Sequence, residues 1–325
     1  MMEKFRLKHS SWATVYLLLP LTWISVWGCA GVHQSPQERE IAVASLVREP
    51  VLSLEPKQVA DGGLVRIEVL IPSYYLEGSS PEELRKLQVR GKGPKGEFPF
   101  YRSSVSAGLF EALLGIPFGQ KPGAIEVPVR IALGRKLKTE LKAIIPVVAG
   151  EYAAETLSVD PRHVNPGPQA IERMRREASE IGRLYRNSED SMHWSGAFEI
   201  PIQSPITSPF GTKRIYNGEM QSFHQGLDLK APVGTPIRAP AGGRVVMAKD
   251  LYLTGNTVIL DHGHGLLTVY AHLNEFKVKV GALLKKGDLL GLSGVTGRAS
   301  GPHLHWGAVV HRTKFNPIDL TRIVR

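Results

Sequence analysis

The sequence predicts a mainly β protein: a β-sandwich-like N-terminal domain, a connecting amphipathic helix and an all-β C-terminal domain. Three observations carry this. Apolar and polar residues alternate with period two through much of residues 50–150 and again beyond 240. The 33 glycines and 23 prolines fall largely between those runs, as turns would. Helical spacing is sustained over several turns only around residues 168–187.

A chain of 325 residues suits two or three domains, and 42% apolar residues are enough to fill their cores. The net charge of +10 favours anionic partners. No basic run carries interleaved aromatics, and no helix-turn-helix or zinc-finger spacing occurs, so nucleic acid is not an expected partner. An anionic cell-wall polymer suits the charge equally well. The lone cysteine, Cys29, excludes an intrachain disulfide and any cysteine-based zinc site.

Residues 1–28 read as a secretory signal. Lys4, Arg6 and Lys8 precede the uncharged, mostly apolar stretch Ala13 to Gly28, 16 residues and shorter than a membrane span. Val26-Trp27-Gly28-Cys29 resembles a bacterial lipobox, although Trp27 is bulkier than usual for its position. The resemblance implies lipidation at Cys29 and a membrane anchor. Ala30 after the cysteine implies the outer membrane, with the protein facing the periplasm. Residues 29–48 are polar and mixed, a tether.

Within the first domain, 49–160, strands are expected over Leu64 to Ile71, Lys86 to Arg90, Ala124 to Leu133 and Leu137 to Val148. A short helical turn is expected at Pro81 to Lys86. No cluster of histidines or paired carboxylates falls here, so the domain reads as structural. The linker, 161–196, carries Ile171, Met174, Ala178, Ile181 and Tyr185 at helical spacing, with Pro168 tolerated in the first turn.

The second domain, 197–325, is expected to be all β. Its strands are Gly243 to Lys249, Asn256 to His262, Leu266 to His272, Phe276 to Val280, Leu289 to Ser293 and His303 to Val310. Seven of the 11 histidines lie between 224 and 311. Several imidazoles aimed at one place suggest a metal. His303 and His305 are two apart, so on a strand both point to one face. His224 and Asp228 also have even spacing, with Gly226 leaving room between them. His272 ends an apolar strand. None of these pieces is specific alone.

In combination, His224-x-x-x-Asp228, Tyr270-Ala271-His272-Leu273 and Gly301-Pro302-His303-Leu304-His305 resemble the LytM/lysostaphin-type zinc metallopeptidases, the M23 family. Thr207 to Gly211, Gly226 to Leu229, Ala231 to Pro236 and Gly294 to Gly297 fit the same pattern, which covers about residues 200 to 320. The resemblance implies that His224, Asp228 and His305 bind one zinc ion. It makes His272 and His303 the catalytic histidines, with neither assigned as general base. Three protein ligands leave one tetrahedral position for water. No HExxH helix is present. The implied activity is a zinc metalloendopeptidase acting on peptidoglycan stem peptides or cross-links, with a D-alanyl-diaminopimelate bond favoured over a glycine bridge. The alternative is a non-catalytic or autoinhibited activator or binder of cell-wall hydrolases with the same fold. Asn217 and Tyr270 are further candidates for substrate binding. His262 and His264 are expected to be structural and His311 to be at the surface.

Overall fold

Alternation becomes layering in the first domain. Val127, Val129, Ile131 and Leu133 of the strand Gly123–Leu133 are buried, while Arg130 between them faces solvent. This strand pairs antiparallel along its whole length with Leu137–Val148. The structure is a computed structural model that describes residues 48–324 except Val105 and Glu219. The predicted signal peptide, Cys29 and all of the tether but its last residue lie outside the described residues.

Two sheets face each other across one apolar core. One runs Val51–Glu55, Leu64–Leu70, Leu109–Gly115, Tyr101–Arg102. The other runs Val59–Ala60, Leu137–Val148, Gly123–Leu133, Gln88–Gly93, Gly96–Pro99. The sequence does not predict Leu109–Gly115, for a physical reason. Ala112 and Leu114 face the sandwich core, while Leu113 on the opposite face joins the core of the second domain. A strand covered on both sides loses its alternation. Leu64 and Tyr101 join the second core in the same way. The predicted turn of helix is Pro81–Arg85, started by a capping box between Ser80 and Glu83.

The linker helix spans Pro168–Leu184. Its predicted stripe holds only at the C-terminal end, where Ile181, Leu184 and Tyr185 pack on Met247, Leu251, Ile259 and Leu267 of the second domain. Ile171 and Ala178 are exposed, and Glu177 is the buried residue. Glu177 pairs with Arg173 at 2.6 Å and accepts from the backbone N–H of Tyr252 at 2.9 Å. A satisfied carboxylate thus replaces an apolar contact at mid-helix. Among the described residues no helix is long and apolar enough to cross a membrane.

The second domain is built on a ten-stranded antiparallel sheet. Its main path runs Ile206–Ser208, Leu227–Lys230, His303–Val310, Leu266–Phe276, Gly255–Gly263, Gly243–Leu251, Leu283–Leu284. Leu289–Ser293 bridges Leu266–Phe276 to Pro236–Arg238. The predicted strand Phe276 to Val280 is absent: Phe276 ends the preceding strand, and residues 277–280 leave the sheet. The strand Ala154–Leu157, which the sequence places in the first domain, instead pairs in parallel with Lys213–Tyr216 of the second. Two histidines expected to be structural or exposed sit between the domains. His264 stacks on Tyr101 at 5.1 Å and His311 on Phe98 at 5.2 Å. His262 is fully buried, bonded to the Gly242 carbonyl and the Thr268 hydroxyl.

Candidate metal centre and active site

The sheet register brings the first pieces of the site together. Asp228 lies directly opposite His305, and His305 lies opposite Ala271. On the strand His303–Val310, Leu304 and Trp306 are buried in the core, so His303 and His305 point to the other face. His224 follows the strand Met220–Phe223. Its backbone is fixed by hydrogen bonds to Gly211 (2.8 Å) and Thr212 (2.9 Å).

Three donor atoms converge. His224 Nε2 is 3.0 Å from Asp228 Oδ1 and 3.0 Å from His305 Nδ1, and His305 Nδ1 is 2.9 Å from the same carboxylate oxygen. His224 donates its Nδ1–H to the Pro209 carbonyl at 2.9 Å, so its Nε2 presents a lone pair. Two imidazole nitrogens and a carboxylate oxygen therefore face one another around a single point. Ligands about 2.0–2.1 Å from a zinc ion in a tetrahedral site stand about 3.3 Å apart, so only a small expansion would seat the ion. The donor set fits zinc. Gly226 makes this approach possible. A Cβ there would stand 2.5 Å from His305 Cε1 and 2.7 Å from the Trp306 carbonyl oxygen.

His272 and His303 stand beside the cluster, their rings 4.7 Å apart. Each is held through Nδ1, His272 on the Thr296 carbonyl at 2.7 Å and His303 on the Gly301 carbonyl at 2.8 Å. Both thus present Nε2, and that of His303 is 3.7 Å from Asp228 Oδ2. His272 reaches this face through a backbone irregularity. The pairing of Leu266–Phe276 with its neighbour Gly255–Gly263 shifts between Tyr270 and Leu273, and His272 has φ of 60°. A β-bulge with a left-handed residue turns its ring out of the core.

Electrostatics follow from burial. Burial acts to raise the Asp228 carboxyl, but hydrogen bonds and charge from His224 and His305 outweigh it and hold the group well below the usual carboxylate range. Burial pushes His305 down to about 4, and burial with the neighbouring imidazoles pushes His272 down to about 3. Both rings are therefore neutral at pH 7, the form that offers a lone pair.

Five side chains singled out in the sequence, His224, Asp228, His272, His303 and His305, are brought to one place. Asn217 and Tyr270 have other partners. Asn217 is bonded through both ends of its amide to the Val159 backbone, at 2.9 Å each. Tyr270 is fully buried, its hydroxyl on Thr268 at 2.7 Å. Sequence reasoning missed Arg214 and Glu155. The Arg214 guanidinium bonds the outer oxygen of Asp228, and its Nε donates to Glu155 at 2.7 Å. No local spacing could reveal that pair, since the two residues belong to different segments joined by a parallel strand pairing.

Comparison with known proteins identifies a family over this part of the chain. Residues 222–317 match the family model of Peptidase family M23. Over 74 residues the chain is 42% identical to the peptidoglycan DD-endopeptidase ShyA of Vibrio cholerae, a stretch that is 23% of this chain and 17% of that protein. Over 142 residues it is 32% identical to an uncharacterized metalloprotease of Haemophilus influenzae, covering 43% of this chain and 30% of that protein. The chain thus spans about a fifth of the length of the curated relatives it matches first. A solved Pseudomonas aeruginosa structure assigned to peptidase M23 superposes with a TM-score of 0.60 at 27% identity, over 81% of this chain and 94% of that one. The likeness extends across both β domains. The C-terminal β domain of this chain is a peptidase M23 domain.

Proposed function

We propose that this protein is a zinc metalloendopeptidase that hydrolyses peptide bonds in peptidoglycan stem peptides or cross-links during cell-wall remodelling. We place it in the bacterial envelope, anchored by lipid on Cys29 and facing the periplasm from the outer membrane. One observation carries the catalytic reading: the convergence of His224 Nε2, Asp228 Oδ1 and His305 Nδ1 beside two further imidazoles that are each held through Nδ1. The DD-endopeptidase activity named for relatives supports the choice of substrate.

In such a site His224, Asp228 and His305 would hold the ion. When bound, zinc polarises a carbonyl oxygen and lowers the pKa of its water to about 7. The remaining work belongs to the chain. His272 and His303 divide the proton transfers. One removes a proton from water, and the other donates toward the oxygen on which charge develops. The Thr296 and Gly301 carbonyls hold both rings in the tautomer that presents Nε2. Arg214 occupies the outer oxygen of Asp228 and so leaves Oδ1 for the ion.

A second reading, an enzyme held in check by its own interdomain segment, is favoured by one contact. Val159 and Val164 pack on Tyr216 at the edge of the site. The test of both is digestion of peptidoglycan by purified residues 30–325, with His224→Ala and chelator controls and separation of the muropeptides. Zinc-dependent conversion of cross-linked dimers to monomers supports the first reading. Zinc binding without any product, together with activity regained on cutting the interdomain segment, supports the second.

A further inference from the structure

An aromatic ring of the first domain touches both supports of a candidate metal ligand. Phe118 follows the strand Leu109–Gly115 and is half-buried between the domains. Its ring centre stands 4.9 Å from that of Phe223 and 6.0 Å from that of Phe210. These two residues flank the two ends of one hydrogen bond. Phe223 immediately precedes His224, and Phe210 immediately follows Pro209, whose carbonyl accepts the His224 Nδ1–H. The same loop fixes the His224 backbone through Gly211 and Thr212, and the Thr212 hydroxyl donates to the Pro209 carbonyl at 3.0 Å.

Phe118 is itself held. Asp61 is buried, and its two carboxylate oxygens accept the backbone N–H groups of Gly119 and Gly150, at 2.7 Å each. Those charge-assisted bonds pin the loops that carry Phe118 and Tyr152. Tyr152 donates its hydroxyl to the Asp61 carbonyl and meets the Phe118 ring edge to face, 4.8 Å between centres. Its ring covers Gly211, where a Cβ would stand 2.1 Å from it. Phe210 is buried under this cover. Close-packed side chains transmit a displacement instead of absorbing it.

We propose that Asp61, Phe118 and Tyr152 form a clasp by which the first domain positions His224 for the metal, an inference that rests on the zinc site described above. Phe118 is then a positioning residue. It acts on the ion only through Phe210, Phe223 and the Pro209 carbonyl. Coupling of this kind is reciprocal. A clasp that favours zinc binding is tightened by bound zinc to the same extent. Simple packing of one domain on another produces no such exchange.

The experiment uses residues 30–325 as wild type, Phe118→Ala, Phe118→Tyr and Ile131→Val. Ile131 fills the sandwich core on another strand, so its truncation controls for loss of stability alone. Zinc dissociation constants are measured by competition with a chromophoric chelator. Hydrogen exchange at the Gly119 and Gly150 amides is followed with and without zinc. Phe118→Ala should weaken zinc binding by about 10-fold or more, the usual effect of releasing a group that orients a metal ligand. Phe118→Tyr keeps the ring and should bind zinc as the wild type does. Ile131→Val should lower the melting temperature and leave zinc affinity unchanged. Zinc should slow exchange at Gly119 and Gly150 in the wild type but not in Phe118→Ala. Equal zinc affinity in the wild type and Phe118→Ala overturns the proposal, as does an equal loss in Ile131→Val. Exchange at Gly119 and Gly150 that ignores zinc overturns it as well, and that result needs only the wild type. Muropeptide digestion is run in parallel. Coupled zinc affinity without cleavage supports the clasp and counts against the hydrolytic reading. Cleavage by a Phe118→Ala variant of unaltered zinc affinity does the reverse.

Discussion

Tyr270 and His272 are two residues apart in one strand, yet they face opposite sides of the sheet. Tyr270 pairs with Trp306 in the core, whereas the His272 ring lies 6.0 Å from that of His305 on the other face. The bulge at His272 accounts for the reversal. Holding a non-glycine residue in the left-handed region costs on the order of 1–3 kcal/mol, a strain typical of functional sites.

In the proposed mechanism His272 and His303 move protons and do not bind the metal. His272→Gln and His303→Gln should each keep one zinc per chain and lose about 100- to 10,000-fold in rate. Metal analysis alongside the muropeptide assay checks this. Loss of zinc from either variant would make that residue a ligand and contradict the assignment.

Gly226 is required by the ring of His305. Gly226→Ala places a methyl 2.5 Å from Cε1, and the rigid Trp306 carbonyl at 2.7 Å blocks the alternative displacement. Overpacking of this kind costs about 1–3 kcal/mol. The expected result is a lower melting temperature and a zinc affinity reduced at least about tenfold, one such factor being about 1.4 kcal/mol. Unchanged affinity in a competition titration would show that the ligands do not depend on this close approach.

The interdomain segment completes the second domain. The strand Ala154–Leu157 pairs with Lys213–Tyr216, Glu155 holds Arg214, and the linker helix covers Met247, Leu251, Ile259 and Leu267. A fragment of residues 197–325 exposes that apolar face. It should be less stable by about 3 kcal/mol or more, at about 1.5–3 kcal/mol per large side chain uncovered. Its activity should fall below that of residues 150–325. Denaturant melts and parallel digestions compare the two, and a more active short fragment would mark the segment as inhibitory.

Acid should loosen the domain interface through His311. Burial against Phe98, with His264 and Arg312 nearby, pushes this imidazole down to about 4. A depressed histidine is neutral in the folded state, and the unfolded chain takes up the extra proton between pH 6.5 and 4. Stability is then complete above pH 6.5 and falls as pH drops through that window. At pH 5 the loss from this group is about 2 kcal/mol. His311→Phe keeps a ring on Phe98 and should flatten this part of the stability profile between pH 8 and 5. An unchanged slope in urea melts would assign the acid sensitivity to other groups.

The β architecture of both domains and all five residues of the cluster were legible in the sequence, four through even spacing and His272 through its place in Tyr270-Ala271-His272-Leu273. Period-two alternation holds wherever one face is buried, and the same parity puts His303 and His305 on one face opposite Asp228. The even spacing of His224 and Asp228 about Gly226 was legible for the same reason. How His272 reaches that face, and what surrounds the cluster, depends on the tertiary structure. Parity would have turned His272 inward with Tyr270, because a bulge shifts register by a backbone conformation that no periodicity records. Leu109–Gly115 escaped prediction because a second domain covers its outer face. Arg214 and Glu155 became part of the site through a pairing between distant segments. Local patterns encode which face of a strand is buried; they do not encode which distant strand arrives to cover it.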